Sequence, residues 1–334
     1  MSLKLLAATL NLSITTVSRA LDGYGDVAPA TRDRVMAAAE AMQYRPNAAA
    51  RRLRRGSTEV VSLVLPTGPG RFDEPLYLEL MSVMGERFAE RGYDLTLLAA
   101  PPGPDEMKTY RRLVEGRRAD GLIVVRTRRQ DPRIAYLLGT KMPFVVMGRS
   151  DTPGLYPFVD GDGEAAFAAA TRDLAALGHR HIAHLAAPAA LTYATLRRAG
   201  YERAMDELGL PRQVVECDAD EQAARAACSE LLAGAAPPTA ILCATDRMAL
   251  GVLRAARERG LSVPADLSVV GHDNLPAGAY SDPPLSTMEL PLAETGDLLA
   301  RMLLARIGGA PPDDTMQAII PIRAVPRGSV APPR

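Results

Sequence analysis

The chain has 334 residues, 47% hydrophobic and 23% charged, which is typical of a globular protein and excludes a disordered or fibrous one. Apolar runs stay well short of the roughly 20 residues of a membrane helix, and three cysteines without a CxxC pair do not make a disulfide framework. The zero net charge hides an asymmetry: residues 1–57 carry nine Lys/Arg and four Asp/Glu, and the remainder carries thirty and thirty-five. A basic head on an acidic body indicates a head that binds a polyanion.

The first 44 residues predict three short helices. Ser2 can cap the first helix, and Asn11 suits the left-handed position of a tight turn. Ser13 can cap a second helix with one apolar and one polar face, and a third helix follows the break at 22–25. Because the turn is tight and the second helix shows a polar face, we interpret the head as a helix-turn-helix rather than a generic three-helix lobe, and its N-terminus as a helix rather than a signal peptide.

An arginine-studded segment follows at 46–57. Within 47–55 four arginines surround one large apolar residue, Leu53, and the segment is too short to be a stable helix alone in water. We expect it to become ordered on DNA, where it neutralises phosphates and inserts Leu53 between base steps.

From residue 60 apolar strand segments alternate with amphipathic helices. The strands are predicted at 60–66, 94–100, 121–125, 144–148, 181–187, 214–216, 240–244, 267–272 and 316–322. Continuous apolar strands predict parallel sheets covered by helices on both faces, here in two successive lobes. The predicted fold class is therefore α/β with an N-terminal helix-turn-helix, and a ligand is expected in the cleft at the carboxyl ends of the strands.

Catalytic and metal chemistry find little support in the sequence. His181 and His184 are three residues apart on a strand and face opposite sides, so they do not predict a metal site. Ser18 has no histidine in the head to activate it, and no GxSxG occurs. We expect a protein that is not an enzyme and that needs neither metal nor cofactor.

Several motifs resemble the lactose-repressor/purine-repressor (LacI) family, in order and over essentially the whole chain. The head motifs are residues 16–21, Val27, 31–35, 44–47 and Ala50 to Leu53; the body motifs are 74–77, 148–149, 160–162, 177–182, 197–201, 245–251, 269–274 and 283–287. Two departures are Asn11, where the family usually has Gly, and Ala28, where it often has a capping Ser.

The resemblance implies a helix-turn-helix, a hinge helix and a two-lobed sensor that resembles periplasmic sugar-binding proteins. We place the helix-turn-helix at 1–45 and the hinge at 46–57. The first lobe is expected at 58–160 and 290–320, and the second at 161–289 and 321–330.

Site residues follow from the exposed face of the second helix, the hinge and the matched body motifs. The predicted DNA-binding residues are Ser13, Ile14, Thr15, Thr16, Ser18, Arg19, Asn47, Ala50, Leu53 and Arg54. The predicted ligand-binding residues are Phe72, Tyr77, Arg149, Asp162, Arg197, Asp246 and Asp273. Carboxylates accept hydrogen bonds from vicinal hydroxyls and a guanidinium donates two at once, so this set suits a polyol. Alternatively, Asp246 caps the following helix and Arg197 pairs with an acid.

The sequence predicts a cytoplasmic repressor of carbohydrate-utilisation genes that a sugar inducer releases from double-stranded operator DNA. A homodimer on a pseudo-palindrome is expected, with no membrane contact and no added tetramerisation helix in the C-terminal tail. A nucleobase co-repressor is the alternative effector. A sugar transport receptor or a sugar enzyme on the same scaffold is disfavoured by the basic head, the missing export signal and the missing nucleophile–base pair.

Overall fold

The computed structural model describes residues 2–44, 56–67, 75–101 and 103–334. The chain divides into two compact units, Met1–Glu59 and Val60–Arg334. In the described parts of both units, no helix is long and apolar enough to cross a membrane.

The described part of the first unit contains the three predicted helices, α1 (Leu3–Leu10), α2 (Ile14–Leu21) and α3 (Pro29–Ala41). The predicted caps are confirmed: the Ser2 side chain accepts from the Leu5 N–H at 3.3 Å, and Ser13 from the Thr16 N–H at 2.9 Å. Asn11 is left-handed, with φ of 54°. The helices bury a small core of Leu6, Ala7, Val17, Ala20, Val27, Val35 and Ala39.

The second unit begins with a six-stranded parallel sheet. Its strands are β1 (Val60–Pro66), β2 (Asp94–Ala100), β3 (Gly121–Val124), β4 (Phe144–Met147), β5 (Phe158–Gly161) and β11 (Gln317–Ile320), in the order β11-β5-β4-β3-β1-β2. The helices between and after them are α4 (Pro75–Ala89), α5 (Pro104–Glu115), α6 (Pro132–Leu138) and α12 (Leu292–Ile307). Leu63 and Val64 on β1 pack against opposite helix layers, which explains why every residue of the strand except Ser62 is apolar.

A four-stranded parallel sheet follows. Its strands are β6 (Ile182–Ala186), β7 (Gln213–Glu216), β8 (Ala240–Cys243) and β9 (Ser268–Val270), in the order β7-β6-β8-β9. They alternate with α7 (Gly163–Ala176), α8 (Thr192–Glu207), α9 (Glu221–Ala233) and α10 (Asp246–Glu258). We call the parts built on the six-stranded and four-stranded sheets the first and second lobes. Both sheets are parallel and alternate with helices, so the α/β fold class is as predicted.

The chain passes between the lobes at 161–163, 289–292 and 320–323. Gly161 lies where these passages meet: a Cβ there would be 2.9 Å from Ile322 Cδ1 and 3.0 Å from Leu290 Cδ1. The predicted lobe boundaries remain a prediction, because contacts group residues 60–334 as one unit.

The predicted strand 316–322 is wrong as a single element. A short 3-10 helix (Asp314–Met316) precedes β11, and the chain then changes sheets to form β12 (Arg323–Val325). Pro321 has no N–H and cannot continue a ladder, so the strand ends before it. β12 pairs antiparallel with β10 (Thr287–Glu289), and neither β10 nor the short helix α11 (Pro276–Ala279) was predicted.

A buried ion cluster ties α6 to α5 and to the loop after β3. The Arg133 side chain is fully buried and contacts Glu106 Oε1 and Asp131 Oδ2, each at 2.6 Å. It also donates to the carbonyls of Val125 and Arg126, at 3.0 and 2.9 Å. The cluster therefore orders the segment that follows the carboxyl end of β3.

We predict that Arg133→Met destabilises the protein by about 3–5 kcal/mol, because it leaves the buried Asp131 carboxylate without its ion partner and Glu106 paired with Arg128 alone. Denaturant unfolding measures the change. Arg129→Met is the control, since Arg129 forms an exposed pair with Asp151 in the same region and should cost at most about 1 kcal/mol. Equal losses in the two variants would contradict the prediction.

Candidate functional site

A cavity of about 220 Å³ lies between the two lobes. Loops at the carboxyl ends of strands in both sheets line it, as expected for parallel α/β sheets. The polar and aromatic lining residues are Tyr77, Arg126, Thr127, Arg149, Asp160, Tyr193, Arg197, Asp218, Asp220, Thr245, Arg247, His272 and Asp273. We call this cavity the cleft.

Arg197 on α8 is held rigidly at the cleft wall and is only 9% exposed. Its Nη1 donates to the carbonyl of Ala244, and its Nη2 lies 3.8 Å from Asp273 Oδ1. Its guanidinium carbon is 4.6 Å from the ring centre of Tyr193 and 5.8 Å from that of Phe167. The side chain is therefore pre-oriented, which lowers the entropy lost when it binds a ligand.

Asp273 lies on a strained loop. Asp273 and Asn274 both have positive φ, 115° and 51°, which is uncommon for residues other than glycine. The loop is held by bonds to β10: the Asp273 N–H donates to the Met288 carbonyl at 2.9 Å, and Asn274 Nδ2 donates to Glu289 Oε2 at 2.6 Å. Such strain persists where the surroundings enforce it, and it is concentrated at functional sites.

His272 supports the same carboxylate. Its Nδ1 lies 2.8 Å from Asp273 Oδ1, which assigns the ring proton to Nδ1 and leaves Nε2 as an acceptor. Burial lowers the pKa of His272, so the ring is neutral at pH 7.

Asp246 requires a correction, because the structure supports neither of its two predicted roles. Its side chain is fully buried and does not line the cleft. The residue that caps α10 is Thr245, whose Oγ1 accepts from the Met248 N–H at 3.3 Å. The Asp246 carboxylate instead accepts from the Leu275 N–H at 2.7 Å and the Thr287 hydroxyl at 2.5 Å. It supports the loop that carries Asp273.

Asp162 has a structural role in this arrangement, and its contact with a ligand stays a prediction. It caps α7, accepting from the Ala165 N–H at 3.0 Å, and does not line the cleft. Asp160, two residues earlier, lines it instead, with Oδ2 at 3.0 Å from Arg149 Nε. Burial raises the pKa of Asp160. From sequence alone, an Asp that caps a helix cannot be distinguished from an Asp at a helix start that faces a ligand.

Of the other predicted ligand-binding residues, those that the structure describes all line the cleft. Tyr77, Arg149, Arg197 and Asp273 line the cleft, and Phe72 lies outside the described residues. Sequence reasoning missed Arg126, Asp160, Tyr193, Asp218, Asp220, Arg247 and His272. Most of them follow a strand end or lie in the first turn of the next helix, so a search of every such position in the alternating pattern would have found them.

Buried polar atoms without a hydrogen-bond partner are frequent in the cleft. In the described part of the chain they include Arg149 Nε, Asp160 Oδ2, Arg197 Nε and His272 Nε2. The contact between Arg149 and Asp160 is an ion pair that is not aligned as a hydrogen bond. Since buried polar groups are normally paired, these atoms indicate a polar ligand.

The histidines near β6 take structural positions. His181 is exposed just before β6, and His184 is fully buried within it. His184 Nδ1 bonds to the Leu242 carbonyl at 2.8 Å. The described residues contain no group of His, Cys, Asp and Glu that is arranged to hold a metal ion.

The head presents a shallow groove along α2. Ile14, Thr15, Ser18, Arg19 and Tyr24 are among its lining residues, and Ile14 is 47% exposed. Ser18 lines the groove although it is mostly buried. Ser13 and Thr16 bond to each other at the start of α2, where their side-chain oxygens are 2.8 Å apart. Four predicted DNA contacts, Asn47, Ala50, Leu53 and Arg54, lie outside the described residues.

Comparisons with known proteins match both units. A family model described as bacterial regulatory proteins, lacI family, matches residues 3–47, and a periplasmic binding protein-like domain matches 171–330. The HTH-type transcriptional regulator AglR of Rhizobium meliloti (strain 1021) is 38% identical over 335 residues, covering 97% of this chain and 93% of AglR. The chain belongs to the lacI family.

Solved structures of the lacI family resemble the chain over nearly its full length. A complex of the transcriptional regulator CelR with cellobiose has a TM-score of 0.76 at 29% identity, covering 98% of this chain and 99% of CelR. The lac repressor dimer bound to operator and the anti-inducer ONPF has a TM-score of 0.85 at 25% identity, covering 99% of both chains. As a lacI-family member the chain is a helix-turn-helix transcriptional regulator and not an enzyme.

We predict that Asp246 makes stability depend on pH. Burial raises its pKa to about 6 in the folded protein, so its contribution is fully present below about pH 4 and is lost as the pH rises through about 6. On going from pH 7 to pH 5, wild type should gain about 1.3 kcal/mol of unfolding free energy more than Asp246→Asn does.

Denaturant titrations at several pH values measure this difference. The asparagine keeps an acceptor for the Leu275 N–H and gains a donor for the Thr287 oxygen, so the variant should fold. Equal pH slopes in the two proteins would contradict the prediction.

Proposed function

We propose that the chain is a repressor that binds a pseudo-palindromic operator as a homodimer and releases it when a neutral sugar binds in the cleft. The observation that carries the proposed effector is the set of buried polar atoms on cleft residues that form no aligned hydrogen bond within the protein. A ligand with many hydroxyl groups supplies both donors and acceptors to such atoms.

The charges of the cleft favour a neutral ligand. Among the described residues that line it, the arginines are Arg126, Arg149, Arg197 and Arg247, and the acids are Asp160, Asp218, Asp220 and Asp273. The balance is zero, and Arg149 and Arg197 already lie beside acids. A phosphate group would meet as many carboxylates as guanidinium groups, whereas vicinal hydroxyls match both. The similarity to CelR in complex with cellobiose supports the same class of ligand.

Tyr77 and Tyr193 add aromatic surface to the cleft. A tyrosine ring covers the apolar face of a sugar, but it also stacks on a planar base. A nucleobase co-repressor is therefore the second candidate effector, and it would strengthen operator binding rather than weaken it.

The proposed binding to operator DNA is based on the helix-turn-helix of the head. One helix-turn-helix reads half a site, so a dimer reads a pseudo-palindrome. The similarity to the operator-bound lac repressor dimer supports this arrangement. The hinge helix and the insertion of Leu53 remain proposals from the sequence, in which effector binding alters the separation of the paired hinges.

The effector half is tested by thermal shift against cellobiose, maltose, glucose, glucose 6-phosphate, hypoxanthine and guanine. We expect a neutral sugar to raise Tm and to weaken operator binding. A shift with hypoxanthine or guanine alone would favour the co-repressor.

Asp273→Asn should weaken the identified ligand about 10- to 100-fold, because it removes an ionised acceptor in a desolvated cleft. Arg197→Ala should lose the ligand response as well. Operator affinity without ligand should stay within about twofold in both variants, since neither residue lies in the head. Asp151→Asn, at an exposed pair outside the cleft, is the control. A full ligand response in both cleft variants would place the sensor elsewhere.

Arg19→Ala should lower operator affinity by about 1–3 kcal/mol and relax specificity at one base pair per half-site, because arginine reads a guanine edge. Binding to an operator selected from random DNA, and to each of its single substitutions, measures both effects. Arg34→Ala removes an exposed arginine from α3 and should leave specificity unchanged. If Arg19→Ala weakens all sequences equally, Arg19 contacts phosphate.

A further inference from the structure

Two residues of the loop after α2 contact the guanidinium of Arg19. Its Nη2 forms an ion pair with Asp26 Oδ2. Its central carbon lies 5.0 Å from the centre of the Tyr24 ring. Arg19 and Asp26 are about half exposed, with 46% and 53% of their side chains accessible. The pair therefore lies at the protein surface rather than in the core, and its Arg19 lines the groove.

The loop that carries Tyr24 and Asp26 is anchored to two helices. The Tyr24 N–H donates to the Arg19 carbonyl at 3.0 Å, which fixes it to the end of α2. The Tyr24 carbonyl accepts from Arg32 Nη2 on α3 at 2.8 Å and from the Val27 N–H at 3.3 Å. These bonds hold the backbone of the loop in place, so that the Tyr24 ring and the Asp26 carboxylate are carried on a fixed backbone beside Arg19.

We propose that Asp26 and Tyr24 are positioning residues that orient Arg19 toward one base pair, and that Asp26 also weakens binding to all other DNA. The proposal rests on the proposed function, in which Arg19 reads a base edge. Asp26 binds one end of the guanidinium, and Tyr24 covers one of its faces. The remaining N–H groups can then donate to two acceptors on the edge of one base. An unsupported arginine loses more rotamer entropy on binding and contacts phosphates and bases alike.

The acidic charge of Asp26 has a second consequence. Near the groove it repels DNA phosphates whatever the base sequence, and the repulsion is offset only where Arg19 gains its specific contact. An exposed ion pair with a merely structural role would add little to stability and nothing to specificity. Removing Asp26 should therefore change specific and non-specific binding in opposite directions.

The experiment uses the full chain. Wild type first selects an operator from random duplexes. Dissociation constants are then measured at one salt concentration for this operator, for its single base-pair substitutions and for a random duplex. Asp26→Asn should lower discrimination about tenfold at the base pair that Arg19→Ala affects, and tighten binding to the random duplex about threefold.

Further variants distinguish the positioning of Arg19 from a general effect of charge and from an effect on folding. Asp33→Asn removes an exposed acid of α3 and should leave discrimination unchanged at every base pair. Tyr24→Leu should lower discrimination at the same base pair without tightening random binding, and Tyr24→Phe should behave as wild type because it keeps the ring.

Unchanged discrimination in both Asp26→Asn and Tyr24→Leu would overturn the proposal while leaving the proposed function intact. A loss of discrimination at a base pair other than the one that Arg19→Ala affects would also overturn the proposal. If wild type selects no sequence, the proposed function and this inference fail together.

Discussion

The close contact of the three passages between the lobes is the constraint on which the rest of the sensor depends. They meet where Gly161 has no side chain, so that Leu290 and Ile322 approach its backbone. A larger residue at 161 would force these two side chains to move aside. Because both sheets end their strands toward this point, the cleft lies at the same place. Any rearrangement of one lobe against the other must bend these three segments, which makes the cleft the natural place for an effector to act.

The buried Asp246 gives the ligand site a connection to one of these passages. Its carboxylate bonds to Leu275 in the loop of Asp273 and to Thr287 on β10. Asn274 adds a bond from the same loop to Glu289, the last residue of β10, just before the chain returns to the first lobe. A contiguous hydrogen-bonded network therefore connects the loop of Asp273 to the second passage.

Local signals sufficed for the helix caps at Ser2 and Ser13, for the left-handed Asn11 and for the alternating strands, because each depends on nearby residues alone. The errors arose where distant contacts decide the outcome. Asp246 turns inward because Thr287 and Leu275 lie beneath it, and nothing near it in sequence shows that. Asp273 and Asn274 adopt positive φ although neither is a glycine, because bonds to β10 hold them there.

In the proposed function, the leverage of an effector on DNA equals its differential affinity for two arrangements of the lobes. A typical coupling is about 1–3 kcal/mol. A hydrogen bond to a charged group contributes about 1.5–3 kcal/mol, so one or two such bonds suffice if they form in one arrangement only. The cleft provides charged partners on both sides, with Asp160 and Arg149 from the first lobe and Arg197 and Asp273 from the second. A ligand that bridges these four side chains fixes the separation of the lobes. A ligand that bonds to a single lobe binds without changing the affinity for DNA. Bridging, rather than total affinity, is therefore the property that separates an inducer from an inert ligand of the same cleft.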